Sequence, residues 1–343
     1  MKLRRQSTSE KLVFFATNRR RLDDKKVLKF ADQAGSELVF GRSVLLVPGG
    51  QFSNEADRRS GAVEISTYGS STNPDQLSLR DAAVADWPIV AERMRRQAER
   101  AKIYGRSVLV FVHGYNVGFD DAVKRTGQFM RDLNHDGAVI VYSWPSAGQW
   151  WRYGTDRKSA TEAANGLAKL VYRLVHDAGF ERVHIVAHSM GNRVLLPALA
   201  ALDEGTLRGH IGEVVLASPA VSVSELGAGI DTLLGRGLSR FTLYASRNDN
   251  ALRAGFVREY GTTLAGFITR GTPFLHRGLE TIDVSAGGAE QFEFNHDVFA
   301  ANPAIIADIR LLLQTGARPP DRRLRFLRKQ NGSNGEYWRY VPK

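Results

Sequence analysis

Ala187-His188-Ser189-Met190-Gly191 is the stretch of sequence that decides the fold. It follows the apolar run Val183–Ala187, which is typical of a buried strand, and it precedes a segment with helical spacing of apolar residues. A serine between small residues at such a junction is typical of a strand-to-helix turn that holds the hydroxyl clear of the sheet. Alanine stands where glycine is usual, and it is small enough for the same turn. The stretch therefore predicts Ser189 as a nucleophile, provided that the surrounding chain forms the matching sheet.

The chain around this turn alternates continuous apolar runs with helical patterns. The predicted strands are residues 107–113, 138–143, 183–187, 213–217, 240–245 and 279–284. The predicted helices are about residues 120–134, 161–177, 191–202 and 297–313. Strands separated by helices predict β-α-β units. The expected fold class is therefore α/β, with a mostly parallel central sheet and helices on both faces.

Segments outside this alternating series set the predicted domain limits. Residues 13–16, 43–47 and 62–66 look like β segments that lead into the sheet, and the glycine-rich residues 227–237 are predicted to form a loop. Two prolines, Pro319 and Pro320, follow the last predicted helix. We expect one domain over residues 1–317, with an N-terminal β extension, and a basic tail over residues 318–343.

Composition excludes several classes of site. The 343 residues are 43% hydrophobic and 24% charged, which is ordinary for a globular domain, and they include no cysteine. Disulfides, thiolate metal sites and a cysteine nucleophile are therefore excluded. Neither a His-Glu-x-x-His spacing nor a glycine-rich phosphate loop in the right context occurs, so we expect no metal and no cofactor. The apolar run Leu12–Phe15 is too short for a signal peptide, and we expect a cytoplasmic location.

Positive charge is concentrated at the C-terminus. The net charge is +11, and residues 318–343 carry eight lysines or arginines against two acidic residues. Tyr337, Trp338 and Tyr340 are interleaved with these cations. The tail could contact an anionic membrane surface or nucleic acid, although no specific nucleic-acid motif accompanies it. The alternative, which we favour, is a solvated extension that folds back onto the domain.

His113-Gly114-Tyr115-Asn116 ends the first predicted buried strand. Open parallel sheets bind ligands at the carboxyl ends of their strands, so polar residues at these ends are candidate site residues. A glycine there lets the next N–H turn into the site, and the amides of Tyr115 and Met190 would form a two-donor oxyanion hole. His113 is expected to orient this loop rather than to transfer protons.

Three further side chains are expected to shape the substrate pocket. Trp144 and Ser146 follow the strand 138–143, and Asn116 follows the oxyanion loop. For Trp144 and Ser146, packing of the loop is an equally good interpretation.

Two pairs of residues compete for the roles of acid and base. Asp249 follows the strand 240–245 on a loop, where a carboxylate could hold a catalytic histidine and could also cap a short helix. Asp283 is the alternative acid, but it lies inside a predicted strand. His296 follows the last predicted strand, whereas the alternative base, His276, precedes it. The order Ser189, Asp249, His296 is that of an α/β-hydrolase rather than of chymotrypsin or subtilisin.

Several motifs in one order resemble a bacterial α/β-hydrolase family that is defined as a domain of unknown function, of the type numbered 900. The matching segments are Phe15–Arg19, Val110–Asn116, Ser143–Ser146, Ala187–Arg193, Leu243–Ser246, Asp249–Leu252 and Thr281–Ser285, followed by His296. They span about residues 12–313. The resemblance implies the α/β-hydrolase fold and a catalytic triad. Ser218–Ser222 departs from it, because acidic residues are expected after the proline, and this departure favours Asp249 as the acid.

The expected function is that of a serine hydrolase, an enzyme that cleaves carboxylic esters through an acyl-enzyme intermediate, as carboxylesterases and lipases do. Its expected substrate is a small-molecule or lipid ester. The alternatives are a thioesterase, a peptidase or another acyl-transfer enzyme with the same triad. A non-catalytic binding protein on a hydrolase scaffold is a further alternative.

Overall fold

The computed structural model describes residues 9–22, 28–47, 77–115, 117–146, 153–253, 263–269, 271–286, 302–318, 325–332 and 334–342, with the backbone alone along 153–161. The strands are β1 (Ser9–Leu22), β2 (Lys29–Val47), β3 (Ser78–Val84), β4 (Ser107–Val112), β5 (Ala138–Ser143), β6 (Arg182–His188), β7 (Ile211–Ala217), β8 (Phe241–Ala245), β9 (Leu279–Asp283), β10 (Leu327–Gly332) and β11 (Gly335–Tyr340). The helices are α1 (Trp87–Arg100), α2 (Phe119–Asp132), α3 (Tyr153–His176), α4 (Gly191–Ala200), α5 (Glu204–His210), α6 (Val223–Gly235) and α7 (Pro303–Thr315).

One sheet joins the described strands in the order β10-β11-β9-β8-β7-β6-β4-β5-β1-β2-β3. Neighbours from β11 to β1 pair in parallel, whereas β1–β2, β2–β3 and β10–β11 pair antiparallel. The mostly parallel sheet predicted from the sequence is therefore confirmed. Because parallel strands share one carboxyl edge, the turns that follow β4, β6 and β8 lie along the same edge of the sheet.

The core lies in two layers, one on each face of the sheet. Along β4, Val108 and Val110 pack into the layer that includes α1, α3, α4 and α6, whereas Leu109 and Phe111 pack into the layer of α2 and α7. This alternation follows from the two-residue period of a strand, and it explains why β4 is apolar on both faces.

The first two strands extend beyond the carboxyl edge. Thr17 of β1 pairs with Ser143, the last residue of β5, and β1 then continues to Leu22. This continuation pairs with the first part of β2, as in the pair Arg21 and Phe30. We call residues 18–22 and 29–35 the N-terminal arm. The arm stands beside the edge that carries Ser189.

The C-terminal segment forms a hairpin that adds to the sheet. β11 pairs in parallel with β9 beside Asp283, and Arg339 of β11 donates from Nε to that carboxylate at 2.9 Å. Arg318 pairs with the buried Glu213 at 2.8 Å and with Glu280 at 3.2 Å. Two arginines of this segment, Arg318 and Arg339, are thus paired with carboxylates of the domain. Among the described residues, no helix combines the length and apolar character that crossing a bilayer requires.

One loop prediction is wrong. Residues 227–237 were expected to form a glycine-rich loop, but most of them belong to α6 (Val223–Gly235). The helix begins with a reciprocal capping box, in which Ser222 and Glu225 each bond the backbone amide of the other. Leu226, Ile230 and Leu233 bury its apolar side, so capping and burial outweigh the low helix propensity of its glycines. The strand predicted at 62–66 and the segment 287–301 lie outside the described residues.

Candidate active site

Ser189 occupies a strained turn between β6 and α4. Its φ is +52°, which is rare for a residue with a side chain and costs on the order of 1–3 kcal/mol. The turn is held on both sides, since the Ser189 amide donates to Ala217 O at 2.9 Å and the Ser189 carbonyl accepts from Ala220 N at 3.2 Å. Asn192 adds two bonds from Nδ2, to Ser189 O at 2.9 Å and to Ala187 O at 3.1 Å. The strain is therefore maintained by a dense set of hydrogen bonds.

Gly191 is required by the close approach of β4. A Cβ at this position would lie 2.7 Å from the carbonyl oxygens of both Val112 and His113. Real Cβ atoms do not tolerate that separation from backbone, so the glycine of the motif lets α4 begin directly against the end of β4. The helix N-terminus is thereby brought beside Ser189, and its partial positive charge favours a developing anion there.

The loop after β4 lies against the serine. A Cβ at Gly114 would be 2.8 Å from Ser189 Cβ and 3.1 Å from His188 O, so the glycine allows this contact. The next residue is Tyr115, which carries one amide of the predicted oxyanion hole and is half-buried. Met190 carries the other and is fully buried. Among the described residues, the Met190 N–H has no hydrogen-bond acceptor.

His113 and Trp144 support this loop from below. Their rings stack with centroids 5.3 Å apart and planes 6° apart, and Trp144 Nε1 donates to His113 O at 2.7 Å. Burial, together with the charge of Arg19, holds the pKa of His113 well below its usual range. His113 is therefore neutral near pH 7, and its Nδ1–H donates to Gly114 O at 2.9 Å.

The predicted pocket residues are placed as follows. Trp144 and Ser146 have no exposed surface, and Ser146 Oγ accepts a long bond of 3.5 Å from Val117 N. Both side chains therefore pack against the oxyanion loop, and contact with a substrate stays a prediction. Asn116 lies outside the described residues.

Asp249 follows β8 and is fully buried. Its Oδ1 accepts from Leu252 N at 2.9 Å, and its carbonyl accepts from Arg253 N at 2.9 Å. Asp249 therefore begins a short helix, the structural role that the sequence allowed. The bond from Leu252 N holds Oδ1, and Asp249 lies at the edge of the sheet that carries Ser189.

Asp283, the alternative acid, is also fully buried but is held by arginines. Its Oδ2 lies 2.9 Å from Arg339 Nε and 3.9 Å from Arg247 Nη2. Its Oδ1 accepts from the amide of Ser285 at 2.9 Å and from the Ser285 hydroxyl. These contacts give Asp283 a structural role at the junction of β9 and β11.

The loops after β8 and β9 are tied together. Asn248 Nδ2 donates to Ser285 O at 2.7 Å, and Arg247 N donates to Ser285 Oγ at 3.0 Å. The chain that leads to His296 therefore leaves the sheet beside the loop that carries Asp249. His296 itself lies outside the described residues.

The other seven histidines are described, and none of them hydrogen-bonds the Ser189 hydroxyl. His276 precedes β9 and lies 3.5 Å from Asp231 of α6, so it belongs to the opposite end of that strand. The remaining ones, apart from His113 and His188, are His135, His176, His184 and His210. His188 immediately precedes the serine, and its ring nitrogen Nδ1 lies near Gly114. In the described part of the chain, no group of three histidine or acidic residues could hold a metal ion.

Two residues of the site were not assigned a role from the sequence. Asn192 fixes the carbonyls of the strained turn, and Arg19 of β1 reaches the oxyanion loop from the N-terminal arm. Both residues are in the motifs that carry the family resemblance, which is the signal that could have identified them. Their partners are backbone carbonyls and, for Arg19, also the side chains of Ser143 and Asp32. Sequence patterns do not show which of these groups a side chain will meet.

Comparisons with known proteins place the chain among hydrolases. The model of a family described as alpha/beta hydrolase of unknown function (DUF900) matches residues 91–315, which confirms the predicted family and fold. No match was found among curated proteins.

Solved structures of low similarity also match. A candidate cell-surface hydrolase from Lactobacillus plantarum WCFS1 is 15% identical, with a TM-score of 0.38 over 63% of this chain and 95% of that chain. Carboxylesterase CesB (YbfK) from Bacillus subtilis is 12% identical, with a TM-score of 0.33 over 62% and 85%. The catalytic core domain of acetyl xylan esterase from Trichoderma reesei is 12% identical, with a TM-score of 0.35 over 59% and 97%. At these scores, the assignment depends on the family match.

Proposed function

Because the chain belongs to the family of alpha/beta hydrolases of unknown function called DUF900, we propose that it is a serine hydrolase that cleaves carboxylic esters through an acyl-enzyme intermediate. The observation that carries this proposal is the strained Ser189 between β6 and α4, with the Gly114 backbone packed against it. A buried serine with positive φ at a strand-to-helix turn is the arrangement that presents Oγ to an acyl carbonyl.

In the proposed mechanism, Ser189 Oγ attacks the ester carbonyl while His296 accepts its proton. The resulting tetrahedral intermediate collapses as His296 returns the proton to the leaving alcohol, which leaves the acyl group on Ser189. Water then attacks the acyl-enzyme while His296 accepts its proton, and the bond to Ser189 Oγ breaks as His296 returns the proton to Oγ and the carboxylic acid leaves. Asp249 accepts a hydrogen bond from the imidazole, keeps it in the required tautomer and stabilises the imidazolium.

The amides of Tyr115 and Met190 bind the oxyanion in both steps. The close approach of Gly114 to Ser189 supports this assignment, since Tyr115 is the next residue of the same loop. Removing one such donor costs roughly 100- to 1,000-fold in kcat in comparable enzymes.

Asp249 is proposed as the acid rather than Asp283 because of what each carboxylate touches. The charge of Asp283 is neutralised by Arg339 and Arg247. Asp249 lies on the loop after β8, where its Oδ1 accepts the backbone amide of Leu252 at 2.9 Å. A carboxylate paired with arginines stabilises an imidazolium poorly, because the arginine charge cancels the attraction.

Covalent labelling tests the proposal. A fluorophosphonate probe should label the wild-type protein at one site, and Ser189→Ala should abolish the labelling. Ser218→Ala is the matched control, because Ser218 is also buried and also has a positive φ of +44°, at the end of the neighbouring strand β7. Labelling that survives in Ser189→Ala, or that is absent from the folded wild-type protein, would contradict the proposal.

Substrate class is tested on the unlabelled, active enzyme. We propose a small-molecule or lipid ester, and p-nitrophenyl esters of rising chain length should be hydrolysed with a defined optimum. Faster turnover of thioesters or peptides at equal concentration would reassign the substrate and leave the Ser189 mechanism in place. The cytoplasmic location and the contact of the basic C-terminal segment with an anionic surface are retained as proposals.

A further inference from the structure

Among the described residues, Arg19 is the largest charged side chain that is fully buried. It lies in the N-terminal arm, and its guanidinium has no exposed surface. A buried guanidinium costs several kcal/mol in lost hydration unless its donors meet acceptors. Its partners therefore show which parts of the molecule Arg19 holds together.

The guanidinium of Arg19 joins three elements. Nη2 donates to Val117 O at 2.6 Å, in the loop after β4, and Nε donates to Ser143 Oγ at 3.0 Å, at the end of β5. Nη1 donates to Asp32 Oδ1 at 2.9 Å, in the N-terminal arm. The planar fork of arginine suits this arrangement, because its donors point in fixed, different directions.

The shortest of these bonds fixes the loop that carries one oxyanion donor. Val117 is two residues from Tyr115, and the same loop contacts Ser189 through Gly114. The rest of the loop is held by His113 and Trp144 at its start. Arg19 therefore anchors the far end of a short segment whose amide must be placed to within a fraction of an ångström.

We infer that Arg19 is a positioning residue that holds the loop after β4, and with it the Tyr115 amide, in the geometry that binds the oxyanion. This inference rests on the proposed function. The guanidinium of Arg19 bonds the far end of the loop at Val117, and we infer that it acts through the loop. Burial and, secondly, the charge of Arg19 hold the pKa of His113 well below its usual range, and the Nδ1–H of His113 donates to Gly114 O at the start of the same loop.

Kinetics of Arg19→Gln and Arg19→Lys test the inference. A displacement of about 1 Å at a catalytic group costs on the order of 100-fold in rate, so kcat per active site should fall to that extent in Arg19→Gln, with KM changed less than about threefold. Arg19→Lys should recover little of the loss, because one ammonium cannot reach the three partners. Arg20→Gln is the matched control: Arg20 is the next residue of β1, is exposed, and bonds Gln33.

A readout specific to the oxyanion separates positioning from general loosening of the fold. The inhibition constant of a trifluoromethyl ketone, which forms a tetrahedral adduct, should rise in proportion to the fall in kcat/KM. An inhibition constant that stays at the wild-type value, or a kcat loss that disappears after correction for the active fraction, would overturn the inference. Ser143→Ala removes the acceptor of Arg19 Nε but leaves the bonds to Val117 and Asp32, and it serves if the Arg19 variants do not fold. It should lower kcat about threefold to tenfold, and an unchanged kcat would count against the inference.

Activity of the wild-type protein separates failure of the proposed function from failure of the inference about Arg19. If it neither hydrolyses esters nor reacts with a fluorophosphonate, the proposed function fails and the inference fails with it. If the wild type is active and Arg19→Gln matches Arg20→Gln in kcat and in ketone inhibition, only the inference about Arg19 fails.

Discussion

The carboxyl and amino edges of the central sheet both bury polar groups, but they differ in backbone strain and in whether the buried groups have hydrogen-bond partners. At the carboxyl edge, Ser189 has a strained backbone, and the buried Met190 amide beside it has no acceptor among the described residues. At the amino edge, His184 accepts from Glu213 N at 3.0 Å, and Glu213 pairs with Arg240 at 2.7 Å. Strain and an open donor mark a place where a reaction partner can bind, whereas satisfied bonds mark a place that holds the fold together. Substitutions at the two edges should therefore separate activity from stability.

The two buried aspartates at the ends of β8 and β9 should give the largest difference. Asp249→Asn should lower kcat about 10,000-fold, because the amide holds the histidine in the wrong tautomer. Asp283→Asn should leave kcat within about threefold and lower Tm, because it weakens the contacts with Arg339 and Arg247. Steady-state kinetics and thermal unfolding of both variants measure the difference. The reverse pattern would make Asp283 the acid.

The second-largest difference in kcat should be between substitutions at two glycines of the loop after β4. Gly114→Ala places a Cβ 2.8 Å from Ser189 Cβ, so the loop must move, and kcat should fall about 100-fold. Gly118→Ala is the control, because no atom lies within 4 Å of the added Cβ and the φ of Gly118 is −74°. Equal kcat in the two variants would show that the loop is not part of the oxyanion site.

At the amino edge the effect should appear in stability and should depend on pH. Burial, with the charges of Arg182 and Arg240, lowers the pKa of His184 to about 4, whereas the unfolded chain titrates near 6.5. The unfolded state binds the proton first, so stability is lost as pH falls from about 6.5 to about 4, by up to about 3 kcal/mol. His184→Asn keeps an acceptor for Glu213 N but does not titrate. Urea unfolding at pH 7.5 and 4.5 should show a smaller pH dependence in the variant, and an equal dependence would contradict this interpretation.

The smallest effect should come from the C-terminal hairpin. Arg328 and Arg325 are exposed, whereas Arg339 is bonded to Asp283. Arg325→Gln and Arg328→Gln should each weaken salt-dependent binding to a polyanion about twofold to threefold, whereas Arg339→Gln should chiefly lower Tm. Binding titrations at two salt concentrations measure this difference. Polyanion binding that is unchanged in both exposed variants would remove the proposed anionic contact.

The parallel strands and the strained turn could be predicted from sequence because each has a local signature. β5 was predicted at its observed bounds, since its run of apolar residues is continuous, and Ser189 was identified by its small neighbours. The glycines of α6 concealed a helix, because its stability comes from capping and burial rather than from propensity. The C-terminal hairpin was predicted only as a tail, because short edge strands rich in charge have no clear apolar alternation. The role of Arg19 depends on Val117 O and Ser143 Oγ, which are distant in sequence, and no local pattern shows these partners.

The central claim is that His296 activates Ser189, and the rate of Ser189 phosphonylation tests it most directly. The second-order rate constant for a fluorophosphonate should be measured between pH 5 and 9 for the wild type, His296→Ala and His276→Ala. We predict a wild-type rate that rises with deprotonation of one group, a His276→Ala rate within about threefold of it, and a loss of at least about 1,000-fold in His296→Ala. Phosphonylation of His296→Ala at the wild-type rate, with the same pH dependence, would contradict the account.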